Sequence, residues 1–152
     1  MRKLYYVLGA LMLIGSGCLT VNVDINENSE DPSGVSISVE TEEVLEMAAP
    51  SANISVFEPL VDQVVDTSIY VEGEARVFEQ TFTWRLTDVL TGDLIEDHEN
   101  TSASDIGVFG PFSFSIEIPA EYGSELLLEV FEYSAMDGSQ INTVTVPLVS
   151  IN

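Results

Sequence analysis

Cysteine occurs once in the 152 residues, at Cys18. One thiol forms no internal disulfide, so whatever folds here is held by packing alone. Cations are nearly as scarce: four Lys and Arg stand against 26 Asp and Glu, a formal net charge of −22. Arg2 and Lys3 sit at the very start, so from Cys18 onward only Arg76 and Arg85 oppose the carboxylates. Such a surface repels phosphate backbones and anionic headgroups alike, which excludes nucleic acid as a partner and a basic membrane patch as an anchor. The charge suits solubility, above all in a salt-rich medium where screening relaxes self-repulsion. Long apolar runs are missing too: Leu4 to Ile14 falls well short of the roughly 20 residues a bilayer span needs.

Chemistry-bearing residues are equally thin. Histidine occurs once, at His98 in the polar run EDHEN, and no lysine follows Lys3. Asp97 and Glu99 flank His98, but a nucleophile needs an oriented base beside it, and His98 reads as a solvated edge residue. Among so many carboxylates, chance pairs are guaranteed, and no glycine loop cradles phosphate. We therefore assign no catalytic residue, no metal site and no cofactor. Calcium is the alternative, since carboxylate and amide oxygens are its ligands. Asp24-Ile25-Asn26-Glu27-Asn28-Ser29-Glu30 spaces such oxygens suitably at first, but lacks the sixth-position glycine and carries Val35 where a closing glutamate belongs. Asp88, Asp93, Asp97 and Asp105 form a second set that a sandwich could gather at one end. Asn53-Ile54-Ser55 and Asn100-Thr101-Ser102 match glycosylation acceptors, a pattern common by chance.

What is present begins with an address. Met1, Arg2 and Lys3 precede the short apolar run, and Gly15, Ser16 and Gly17 lead to Cys18. A basic head, apolar middle and small residues make a secretory signal. Cysteine directly after the small residues resembles a bacterial lipoprotein signal, although Gly15 stands where leucine is usual. The resemblance implies cleavage after residue 17, lipid attachment at Cys18, and a place on the extracytoplasmic face of the membrane. Residues 18–53 then read as an acidic tether. Within it VNVDIN and VSISVE alternate with period two and allow a small hairpin, and TEEVLEMA a turn or two of helix.

From Ile54 to Asn152 the texture is all-β: β-branched and aromatic segments recur about every ten residues, with no helix signal of useful length. SIYVEGEARVF turns Ile69, Val71, Ala75 and Val77 to one face. QTFTWRLTDV sends Phe82, Trp84 and Leu86 inward and Thr81, Thr83, Arg85 and Thr87 outward. LIEDHENTSA is polar enough for a sheet edge. FSFSIEIP points Phe112, Phe114, Ile116 and Ile118 one way, and INTVTVPLV does so with Val144, Val146 and Leu148. ELLLEVFEYS is apolar at both parities and belongs mid-sheet. With ISVFEP these predict an antiparallel, two-sheet sandwich of about seven strands, with Trp84 as its large central side chain. Gly73 inside a strand marks a bulge or a close backbone approach. Tyr70 and Tyr133 are exposed aromatics suited to sugar or protein contact.

At VEGEARVFEQTFTWRLTD, GPFSFSIEIP and EYSAMDGSQINTVTVPL the chain resembles the immunoglobulin-like domain of bacterial spore germination. Gly73-Glu74-Ala75-Arg76-Val77-Phe78-Glu79, Gly110-Pro111-Phe112 and Asp137-Gly138 carry the likeness, which runs from about Ile54 to Ile151. It implies an extracellular module without catalytic residues, of a kind often found beside germination or peptidoglycan-associated domains. The function expected is non-enzymatic binding or scaffolding at the cell envelope, towards a wall polymer or an envelope protein.

Overall fold

The computed structural model describes residues 45–151. The signal, Cys18, the two alternating tether segments and the Asp24–Glu30 run lie outside these residues. Eight strands form: β1 (Ile54–Glu58), β2 (Gln63–Val65), β3 (Ser68–Ala75), β4 (Thr81–Asp88), β5 (Leu94–Asn100), β6 (Gly110–Glu117), β7 (Glu125–Tyr133) and β8 (Gln140–Ser150). A three-stranded sheet ordered β1-β3-β6 packs on a five-stranded sheet ordered β2-β8-β7-β4-β5.

The expected sandwich is therefore present, with one strand more than anticipated. The extra strand comes from a change of sheet. After β1 the chain passes a cis peptide at Glu58-Pro59 and settles as β2 on the far edge of the other sheet, parallel to β8. All other pairings are antiparallel.

Alternation builds the core as the pattern required. Ile69, Val71 and Ala75 of β3, Phe82 and Leu86 of β4, and Val144, Val146 and Leu148 of β8 are all buried inward. Each fully buried Leu, Ile or Phe contributes about 1.5–3 kcal/mol relative to exposure. Phe82 and Phe112 meet across the sheets with ring centroids 4.5 Å apart. β7 lies mid-sheet between β8 and β4, as its two apolar faces demanded, and β5 is an edge.

Trp84 differs from the expectation. It points inward and stacks on Phe114, centroids 6.0 Å apart, but is only partly buried, and Phe82 holds the centre. Its neighbour across the pair is Asp97 of edge strand β5, whose inward-parity residues Ile95, Asp97 and Glu99 stay partly or fully exposed. The five-stranded sheet outreaches its partner on this side, so Trp84 sits at the rim of the core. Residues 45–53, read from sequence as tether, also pack against the sandwich: Ala48 is in the core and the N–H of Val61, between β1 and β2, donates to the Glu46 carbonyl.

Candidate binding face

The glycines and turns of the family-like motifs have structural duties. A Cβ on Gly73 would lie 2.1 Å from the Ser55 carbonyl oxygen and 2.5 Å from the Phe112 ring. One on Gly110 would lie 2.2 Å from the Ala103 nitrogen. Both are close backbone approaches that only glycine permits. Arg76 donates to the Asn53 side chain at 2.8 Å and lies 5.0 Å from the centre of the Phe109 ring. Asp137 accepts from the Ser139 hydroxyl at 2.8 Å and from its N–H at 3.1 Å, which holds the carboxyl below the usual range and fixes the β7–β8 turn.

The remaining candidates do not converge. His98 is exposed on β5, its Nδ1 3.2 Å from the neighbouring Asp97 carboxylate. The four aspartates separate. Asp88 and Asp93 share the β4–β5 turn, Asp97 lies within β5, and Asp105 follows the opposite end of that strand. Asp88 is 1 % exposed and already engaged. Its Oδ1 accepts from the N–H groups of Leu90 and Thr91, and its Oδ2 from Gly123 at 2.7 Å. Among the described residues no group of three or more His, Cys, Asp or Glu is placed to hold a metal ion. Tyr70 and Tyr133 lie on different sheets: Tyr70 on β3 donates to Glu72 at 3.0 Å, while Tyr133 closes β7.

What the structure does assemble is the outer face of the five-stranded sheet. Register sets Arg85 of β4 between Glu96 of β5 and Glu129 of β7. Its guanidinium donates to Glu96 through Nε at 2.8 Å, and through Nη1 to Glu129 and Gln140 at 3.2 Å each. Tyr133 Oη accepts from Arg85 and donates to Glu96, both at 3.3 Å. The guanidinium also covers the buried Phe131 ring at 4.8 Å. Desolvation pulls the Arg85 pKa down, but the hydrogen bonds and charges of Glu96 and Glu129 outweigh it and leave it above its ordinary value. This closed network stiffens the face; its cation is spent. Glu132, at the β7 bulge, is 8 % exposed and binds Asn142 Nδ2 at 2.6 Å and the Phe78 N–H at 3.3 Å.

Beside the network an apolar row crosses the same face. Leu94, Thr87, Leu127 and Pro147 are successive cross-strand partners on β5, β4, β7 and β8. Val149 and its partner Val64 on β2 extend the row to the other edge. Leu94 and Val64 are more than half exposed. Single exposed apolar residues need no explanation, but a row on four of the sheet's five strands, broken by Thr87 on β4, does. Sequence reading missed both features, because each joins residues that are neighbours only once the register is set.

No curated protein and no solved structure matches the chain. A family model does, over residues 53–139, stopping just short of β8. That span takes in Gly73, Arg76, Gly110 and Asp137, whose contacts build the close strand crossing, the Asn53 clasp and the last turn. With more than half its length so matched and its strands in two facing sheets, the chain belongs to the family described as the immunoglobulin-like domain of bacterial spore germination.

Proposed function

We propose that this protein is a non-enzymatic binding or scaffolding lipoprotein of the bacterial cell envelope. Lipid on Cys18 holds it to the extracytoplasmic face of the membrane, and the sandwich engages a wall polymer or another envelope protein. One observation carries the binding half of the reading: the outer face of the five-stranded sheet is stiffened by the Arg85 network yet leaves an apolar row uncovered. The signal-like start and the family's tie to spore germination support the envelope setting.

The anchor is tested in the native host by intact mass and membrane partitioning, beside Cys18→Ser. The expected product starts at Cys18, carries a diacylglyceryl-sized addition and fractionates with membranes, and the variant loses both the addition and the membrane association. An unmodified wild-type chain in the medium would instead make it a freely secreted module.

A further inference from the structure

We infer that the apolar row is the docking site of a basic polypeptide segment, an extended stretch of an envelope protein that alternates cationic and apolar side chains. This deepens the binding reading above and rests on it. Of the row's side chains, Val64, Val149, Pro147, Leu127, Thr87 and Leu94, only Thr87 carries a hydrogen-bonding group, which disfavours a neutral sugar polymer as occupant. The surroundings are acidic. Glu125 pairs with Val149 at one border, and Glu96 and Glu129 stand at the other with Arg85 already held between them.

At the β2 edge the row meets a groove of about 310 Å3, of which Val64 is a shared wall. Glu58 and Asp66 line that groove with Gln63 and Tyr70, and no cation lines it. Charge then selects the occupant. A second copy of this chain would bring like charge to like charge, as would a phosphate-rich wall polymer. So would the chain's own segment 19–44, which holds carboxylates and no Lys or Arg. A segment whose apolar residues cover the row, and whose basic residue enters the groove between Glu58 and Asp66, satisfies both features at once.

The test uses the full chain with Cys18→Ser, labelled for NMR, so that it stands whether or not the anchor is confirmed. The probe is a short synthetic peptide alternating lysine and valine, with a glutamate–valine peptide as control. Saturable binding of the lysine peptide alone is expected, with amide shifts confined to β2, β8, β7, the Leu94 end of β5 and the groove-lining ends of β1 and β3 at Glu58 and Ser68–Tyr70. Val64→Ser with Leu94→Ser, both more than half exposed, should weaken it about tenfold while the melting temperature stays near wild type. Glu58→Gln with Asp66→Asn should also weaken it, whereas Glu74→Gln with Glu79→Gln, neither on the row nor lining the groove, should not. Equal weakening by the two charge pairs would mean unspecific attraction and overturn the site. So would shifts scattered beyond the row and the groove, absence of binding, or self-association blocking the row in sedimentation.

Discussion

Gly73 shows how much can hang on one hydrogen atom. The residue faces Val56 of β1 at the point where that strand slips register, and the Ser55 carbonyl and the Phe112 ring close over it from two directions. A methyl group here meets backbone, which cannot rotate aside. Overpacking of this kind costs about 1–3 kcal/mol, or roughly 5–20 °C in Tm for a domain of this size. Gly73→Ala should therefore melt well below wild type in a thermal scan, while Ser113→Ala, exposed on adjacent β6, should melt with it. Equal melting of the two would mean that the strand crossing is looser than described. The position was legible from sequence, since a glycine in a strand of otherwise strict alternation asks for a steric reason.

Asp88 works between elements: it ends β4, shapes the turn into β5, and ties that turn to the loop before β7 through Gly123. The hydrogen bonds from Gly123, Thr91 and Leu90 favour the ionised form, so the folded pKa lies below the ordinary 3.8. The unfolded chain then binds the proton more readily, and the resulting stability is complete above the unfolded value and lost as pH falls through the folded one. Asp88→Asn should lower Tm by several degrees at pH 7, and the gap should narrow as pH drops below about 4. A gap that stays constant down to pH 2 would place the effect in shape and not in charge. Elements differ in how far sequence reveals them. The long strands with one apolar parity announced themselves, and β7, apolar on both, announced its central place. β2 did not, because Gln63–Val65 is too short for a period to show. Trp84 was misplaced because its depth depends on how far β5 outreaches the facing sheet, a matter of relative sheet width. The Arg85 network was hidden for a similar reason: its partners Glu96, Glu129 and Gln140 lie 11, 44 and 55 residues away.

For the whole molecule the governing quantity is charge. Among the described residues Glu96 and Glu129 pair with Arg85, and Arg76 is turned to Asn53 and Phe109, so most carboxylates face only solvent and one another. Self-repulsion of this kind opposes compactness and is relieved by salt. Raising sodium chloride from about 0.1 M to 1 M shortens the screening length from roughly 10 Å to 3 Å. Tm should rise across that range, since the lost Arg85 attractions are few and worth about 1 kcal/mol or less apiece. A falling Tm would show that the pairs matter more than the repulsion. Calcium at matched ionic strength should add nothing further; an extra rise would restore calcium as a ligand.

The parallel pairing of β2 with β8 also bears on how the domain meets a load. If the chain before Leu45 runs to a membrane and something draws on the chain at Ile151, the two ends are pulled apart along the strands. Parallel neighbours pulled from opposite ends slide lengthwise, so the hydrogen bonds joining them strain together instead of unzipping one after another. Tension from Leu45 first meets residues 45–53 and β1, so the small strand that changes sheets after Pro59 acts as a second catch, loaded in shear once β1 has given way.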